Sequence, residues 1–147
     1  MKPALSPRLR RALRTFWAAA ALTVVVGSLL PAESVPVRLA ARLPVSDKAL
    51  HFCAYAVLAF LPVIHERIRT AAAIAVCLTA AGVAVEFGQA FLGSRFFETA
   101  DMAANGGGVL FGVLVGLPHR ALAARTLSTV SRASSGSPPR SRRRVEG

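Results

Sequence analysis

Four apolar runs alternate with short polar segments along the chain, at residues 15–31, 49–64, 70–92 and 102–117. A helix crosses the hydrocarbon core of a bilayer with about 20 predominantly apolar residues. The second and fourth runs reach that length only when the polar residues at their starts belong to the same helices. The pattern therefore predicts an all-α fold, a transmembrane bundle of four helices.

The composition agrees with this interpretation once the positions of the charges are considered. The chain has 147 residues, 54% of them apolar, and yet a formal net charge of +11. The charges lie between and beyond the apolar runs, a segregation that is typical of membrane proteins. At this length we expect one domain at most. It is divided into a basic arm (1–14), a transmembrane domain (15–119) and a disordered tail (120–147) rich in Arg, Ser and Pro.

The first apolar run has two interpretations. A basic stretch precedes it, as in a signal peptide, but Leu30-Pro31-Ala32 is a poor cleavage site because a large leucine takes a position that favours small residues. We therefore interpret the run as an uncleaved anchor helix, with a cleaved signal peptide as the alternative.

The distribution of Lys and Arg predicts the orientation. With four spans, the arm, the 65–69 loop and the tail share one side and hold fourteen of the 18 basic residues. The loops at 32–48 and 93–100 hold the other four. Both termini are therefore predicted to be cytoplasmic, in a multi-pass protein of the cytoplasmic membrane. The basic tail is expected to contact anionic lipid headgroups and no nucleic acid.

The motifs of soluble chemistry are missing from the sequence. Cys53 and Cys77 lie inside apolar runs, whereas the cysteines of a disulfide scaffold lie in polar loops, so both are predicted to be unpaired, small and buried. There is no zinc-finger spacing, no glycine-rich phosphate loop and no nucleophile elbow. We expect neither a cofactor nor a metal ion.

Polar residues inside the apolar runs gather at the outer face of this topology. An ionisable residue within a span costs about 2.5–3.5 kcal/mol on insertion scales, so it usually faces the bundle and has a partner. Residues three or four positions apart share one face of a helix. These spacings predict one contiguous cluster of nine residues: Asp47, Lys48, His51, Tyr55, Glu86, Gln89, Arg95, Asp101 and Asn105.

Several members of this cluster also have a purely structural interpretation. Asp47 suits a helix N-cap, Tyr55 an interfacial aromatic residue, and Arg95 an anchor for a headgroup. Gln89 and Asn105 suit hydrogen bonds between helices. The sequence leaves these interpretations open beside the functional one.

The fourth run carries a second pattern, in which small residues recur every fourth position. Ala104, Gly108, Gly112 and Gly116 form this series. Such a stripe lets two helix backbones approach closely. Asp101 and Asn105, at the start of the same run, lie on nearly the same helix face as these glycines. Their side chains are therefore predicted to point into this helix contact and away from lipid.

Together these residues resemble the signature of the VanZ-like family of small bacterial membrane proteins. The resemblance covers residues 44–117, and its elements are ordered and correctly spaced. One departure is Gly93-Ser94, where a proline is expected. The matching elements are Asp47-Lys48-x-x-His51-Phe52-x-x-Tyr55 with Leu58, then Glu86-x-x-Gln89, Arg95, and Asp101-x-x-x-Asn105-x-x-Gly108-x-x-x-Gly112.

The resemblance implies a role at the cell envelope more strongly than any reaction, because the family's namesake is associated with low-level resistance to the glycopeptide teicoplanin. Our first hypothesis is a non-enzymatic protein in which Lys48 and Arg95 bind an anionic or lipid-linked envelope component. The second is a membrane enzyme in which His51 acts with Glu86 or Asp101 as acid and base. The third is a small ion-coupled transporter.

Overall fold

The computed structural model describes residues 6–92 and 98–134, and every regular element in these two ranges is a helix. Four of the helices are long and apolar enough to span a membrane, and the six-residue α2 is the exception. The predicted all-α bundle with four transmembrane helices is confirmed, and the chain is a multi-pass membrane protein. The helices are α1 (Pro7–Leu29), α2 (Val35–Ala40), α3 (Asp47–His65), α4 (Ile68–Phe91) and α5 (Thr99–Ser134).

Serine hydroxyls define where two of the spans begin. Ser6 accepts a hydrogen bond from the Leu9 amide, and Ser46 accepts one from the Ala49 amide, each at 3.2 Å. The first amides of a helix lack partners within the helix, and such a hydroxyl supplies one. Asp47 is therefore the first residue of α3 and not its N-cap, and its charge lies in the first turn, where the helix dipole favours an acid.

Helix α5 is longer than the sequence pattern indicates. It continues through Pro118 to Ser134, so the prediction of a disordered tail from residue 120 is wrong for residues 120–134. The segment after Pro118 consists mainly of Ala, Leu, Arg and Ser, which a helix accommodates well, and the prolines of the tail come later, at Pro138 and Pro139. Residues 135–147 lie outside the described part of the chain.

The closest helix contact joins α3 to α5 through glycines. A Cβ atom built on Gly108 would overlap the Phe52 carbonyl oxygen, and one built on Gly112 would overlap the Ala56 carbonyl oxygen. Any side chain at these two positions would push the helices apart. Gly116 continues the contact, where a Cβ would lie 2.8 Å from a methyl carbon of Val63. The small-residue stripe thus sets the distance between α3 and α5.

Helix α1 packs much more loosely than the others, since none of its residues is buried. It contacts the core through Trp17, whose indole Nε1 donates a 2.8 Å hydrogen bond to the Leu58 carbonyl oxygen. The core itself lies between α3, α4 and α5. Both cysteines are free and exposed on the helix surfaces, so the prediction that Cys53 and Cys77 are buried is wrong. In a bilayer those surfaces face hydrocarbon, where a thiol is tolerated.

Candidate functional site

Helices α3 and α5 begin, and α4 ends, at the same end of the bundle, which we call the Asp47 end. Six of the nine residues predicted for the site are buried there. We use the name His51 cluster for the polar residues that gather at this end: Asp47, Lys48, His51, Tyr55, Glu86, Glu98, Asp101 and Asn105.

His51 lies at the centre of this cluster. Its Nδ1 atom is 3.1 Å from Oδ1 of Asn105, a hydrogen bond between buried side chains of α3 and α5. Because an amide oxygen only accepts, this pairing places the ring proton on Nδ1 and leaves Nε2 as the basic nitrogen. Nε2 is 3.9 Å from a carboxylate oxygen of Asp47, which lies one helical turn earlier and whose side chain is half-exposed. The His51 ring therefore lies between the buried Asn105 and the half-exposed Asp47.

Lys48 bridges two carboxylates. Its Nζ atom is 2.6 Å from Glu98 Oε2 and 3.1 Å from Asp101 Oδ1. Asp101 belongs to the cluster predicted from the sequence, whereas Glu98 was missed because nothing in the sequence of the loop before α5 indicates where its side chains point. Lys48 and Glu98 are both about half-exposed, so their ion pair is screened by solvent and contributes little to stability.

The interior of the cluster surrounds Gly82 of α4. A Cβ at this position would lie 3.0 Å from Asn105 Cβ and 3.3 Å from both Asn105 Nδ2 and Tyr55 Cε1. Tyr55 and Asn105 are each only 1% exposed. The Tyr55 hydroxyl and the Asn105 amide nitrogen have no hydrogen-bond partner within residues 6–92 and 98–134. A buried donor without a partner costs about 1–3 kcal/mol, so this pair of atoms suggests a place for a ligand or water.

Glu86 and Gln89 lie on α4, one turn apart, and both are buried. Glu86 is close enough to Tyr55 to act electrostatically on its phenol group, so it belongs to the His51 cluster. Gln89 also contacts α1. Its Nε2 atom donates a 2.7 Å hydrogen bond to the Ser28 carbonyl oxygen and so holds the end of α1 against α4. Gln89 has the helix-bridging role that the structural interpretation gave it.

The remaining predicted site residue, Arg95, lies outside the described residues. Within the described part, the cluster holds four carboxyl groups, on Asp47, Glu86, Glu98 and Asp101, and one lysine. Acidic groups therefore outnumber basic ones, and the positive charge of Lys48 is already shared by two carboxylates. No set of three or more His, Cys, Asp or Glu residues among those described has a geometry suited to a metal ion.

A second polar cluster at the opposite end of the bundle was not predicted from the sequence. Glu66, which follows α3 and is 5% exposed, forms a two-pronged ion pair with Arg14 of α1, with N–O distances of 2.6 and 2.8 Å. Arg120 of α5 donates to the carbonyl oxygens of Val63 and Glu66. We call Arg14, His65, Glu66 and Arg120 the Glu66 cluster. The hydrogen bond from Arg14 holds the pKa of the Glu66 carboxyl below its usual range.

The two histidines outside the His51 cluster also have partners. Nε2 of His65 is 3.8 Å from a Glu66 carboxylate oxygen. Nδ1 of His119 is 2.8 Å from the Val115 carbonyl oxygen, and its ring packs edge-on against Phe60. The signal that could have revealed the Glu66 cluster is a single acid in the basic loop between two apolar spans, because a lone buried carboxylate at a helix end requires a cation.

Comparison of the chain with protein-family models, with curated proteins and with solved structures finds no match. The VanZ-like resemblance therefore stays a prediction carried by the sequence motif alone.

Proposed function

We propose that the chain is a non-enzymatic, VanZ-like protein of a bacterial cytoplasmic membrane whose His51 cluster binds the polar head of an amphiphilic cell-envelope component. One observation carries this proposal. The Tyr55 hydroxyl and the Asn105 amide are buried beside Gly82, and neither has a hydrogen-bond partner among the residues that the structure describes. A network built only to hold helices together would satisfy both groups.

The charge of the cluster indicates the kind of head that it favours. In the described part of the chain, the cluster has four carboxyl groups and one lysine, and Lys48 is within ion-pair distance of Glu98 and Asp101. An ammonium group complements such a site and donates hydrogen bonds to carboxylates. We therefore propose an amine-bearing head in place of the anionic head expected from Lys48 and Arg95, which remains the rival outcome of the test.

Native mass spectrometry tests this proposal. The purified protein is offered equimolar phosphatidylethanolamine and phosphatidylglycerol in micelles of an uncharged detergent. We expect the ethanolamine lipid to be retained, and about tenfold less of it on the double variant Asp47→Asn/Glu86→Gln. Glu33→Gln, which removes an exposed acid ahead of α2, is the matched control and should retain the lipid. Preferential retention of phosphatidylglycerol would show that the charge argument is wrong.

One observation favours a second candidate, a membrane enzyme. The hydrogen bond from His51 Nδ1 to Asn105 leaves Nε2 as a proton acceptor near the surface, which is the arrangement of a general base. An enzyme should lose all turnover of an envelope substrate on His51→Gln, whereas a binding site should lose affinity by degrees. A graded loss of lipid retention in His51→Gln therefore supports the first candidate over the second.

The proposed orientation has its own test. If both termini are cytoplasmic, a cysteine at exposed Glu33 should react with an impermeant maleimide added to intact cells, after Cys53 and Cys77 have been replaced by serine. A cysteine at Ser137 in the same background should react only after the cells are opened. The reverse pattern would place the Asp47 end in the cytoplasm and remove the envelope role.

A further inference from the structure

A cavity of about 350 Å³ lies between α1 and the pair of helices α3 and α4. Its wall is mainly apolar and includes Val25 of α1, Leu58 of α3 and Ala81 of α4. A buried water needs roughly two to four polar partners, so an apolar cavity stays dry. Because an empty void of this size between packed helices is unfavourable, the cavity needs an apolar occupant.

The mouth of the cavity lies on the surface that faces lipid. Leu22 of α1 and Cys77 of α4 both line the cavity, and both are exposed. Since they belong to different helices, the opening lies between α1 and α4. In a membrane this surface is in contact with the hydrocarbon chains of the bilayer. The apolar groups that can enter the cavity are therefore lipid chains.

The cavity also has a direction along the helices. It extends on α1 from Trp17 to Val25, a distance of about 12 Å. At one end the Trp17 indole donates a 2.8 Å hydrogen bond to the Leu58 carbonyl oxygen and so joins α1 to α3. Towards the other end Tyr55 lines the cavity and also belongs to the His51 cluster. A chain in the cavity therefore ends near Trp17 and has its polar part on the side of the cluster.

We propose that this cavity binds the end of one hydrocarbon chain of a membrane lipid, which enters between Leu22 and Cys77. The volume agrees with this occupant, because it lies near the lower limit of ligand pockets, about 300–1,000 Å³, and holds part of one chain and not a whole lipid. The inference goes beyond the proposed function, since it concerns the chain alone and applies equally to a lipid with an uncharged head.

Trp17 provides a direct probe of the cavity, because it lines the cavity and is the only tryptophan of the chain. Bromine atoms quench indole fluorescence on contact. The full chain is purified in a fluorinated surfactant, whose tails mix poorly with hydrocarbon, and is titrated with an uncharged alkyl maltoside brominated at the end of its chain. We expect quenching that saturates when each protein has bound a single chain. Quenching that rises steadily without saturation would overturn the proposal.

A tryptophan on the outer surface of the bundle gives the matched control. The double variant Trp17→Phe/Leu114→Trp moves the only indole to a position of α5 that is 59% exposed. Its quenching should rise steadily over the same range, because any chain on the surface reaches it. Saturation at the same maltoside concentration as in the wild type would mean that Trp17 reports surface lipid, and the cavity site would be wrong.

Variants that fill the cavity provide a second readout. Ala81→Phe and Ala21→Phe place a ring in it from α4 and from α1, and both should reduce the saturable quenching of Trp17 about tenfold, because the chain loses its apolar contacts. Ala80→Phe and Ala19→Phe add the same ring at exposed positions of the same two helices and should have no effect. Wild-type quenching in both filling variants would overturn the proposal, and the use of two helices guards against misfolding of either variant.

The position of the bromine tests the orientation of the chain. A maltoside brominated beside its head should quench Trp17 less than one brominated at the end of the chain, because Trp17 lies at the end of the cavity away from the His51 cluster. The difference should disappear in Ala81→Phe. Stronger quenching by the bromine beside the head would show that the chain lies the other way round and would overturn the proposed direction of entry.

The chain site and the head site can fail separately. The maltoside head carries no charge, so Asp47→Asn/Glu86→Gln should leave the saturable quenching of Trp17 unchanged. Loss of that quenching would show that the cavity does not bind a chain by itself, and the present proposal would be wrong. Equal retention of the ethanolamine lipid by this variant and by the wild type, with quenching intact, would overturn the proposed function and leave the chain site in place.

Discussion

At the Glu66 end of the bundle, Arg14 satisfies both oxygens of the buried carboxylate, and Arg120 satisfies two backbone carbonyls of the turn after α3. At the Asp47 end, the Tyr55 hydroxyl and the Asn105 amide are just as deeply buried and have no partner among the described residues. A network that is fully satisfied rigidifies a structure, whereas one that is partly satisfied destabilises it unless a ligand completes it. We infer that the Glu66 cluster holds the helices together and that the His51 cluster binds a ligand.

The largest effect is expected where both clusters depend on one contact. His51 meets Asn105 across α3 and α5, and Arg120 reaches from α5 to the end of α3, so Gly112→Leu should disrupt both by forcing these helices apart. Backbone overlap makes this cost about 3 kcal/mol or more. Leu114→Ala, on the exposed side of α5, is the control. Equal thermal unfolding temperatures for the two variants would show that the glycine contact does not hold the fold together.

The second effect concerns the Glu66 cluster alone. Glu66→Gln removes the charge that Arg14 pairs with and should lower the free energy of unfolding by about 2 kcal/mol, since the carboxylate is buried. Lipid retention at the other end should not change. Glu98→Gln, at an exposed ion pair, is the matched control and should cost no more than about 0.5 kcal/mol. Thermal unfolding in detergent measures both.

The third effect has the opposite sign. Tyr55→Phe removes a buried hydroxyl without a hydrogen-bond partner in the described residues, so it should leave the stability of the lipid-free protein unchanged or raise it by about 1 kcal/mol. The same variant should retain less ethanolamine lipid. A loss of stability as large as that of Glu66→Gln would mean that both clusters are structural. It would contradict the inference that the His51 cluster binds a ligand.

The smallest effect is a pH dependence that belongs to one cluster only. The pKa of Glu66 is lowered from 4.5 in the folded protein. The unfolded state therefore binds this proton more readily, and the stability that the ion pair supplies is complete above the unfolded pKa and is lost as the pH falls through the folded one. The difference in unfolding temperature between wild type and Glu66→Gln should be constant above about pH 6 and shrink in acid. A constant difference at every pH would contradict the ion-pair explanation.

Sequence reasoning found most of the polar residues of the His51 cluster and missed the Glu66 cluster for a physical reason. Asp47, His51 and Tyr55 repeat at helical spacing inside an apolar run, and such a stripe is conspicuous because lipid tolerates few polar groups. Glu66 and Arg14 lie 52 positions apart, at the edges of two spans, where charges are common in any membrane protein. Spacing within one helix carries no information about a pair of this kind.

The same limit explains what else was missed. The hydrogen bond from Gln89 to the Ser28 carbonyl oxygen was not found because no pattern predicted the position of α1. The helix from 120 to 134 was missed because the composition of the whole tail outweighed that of its first half. The two cysteines were expected inside because apolar runs were equated with the core, although in a bilayer the exposed surface is apolar too.

The sequence by itself determined the four membrane-spanning helices, their order and the face of each helix on which polar residues lie. Those properties depend on residues that are close together in the chain, through helix geometry and through the cost of placing polar groups in hydrocarbon. Only the tertiary structure decided which polar atoms have partners, that Tyr55 and Asn105 meet around Gly82, and that α1 stands away from its neighbours to leave a cavity. These properties depend on distances between helices, which are set where the backbones of α3 and α5 touch at Gly108 and Gly112 and where single hydrogen bonds hold α1.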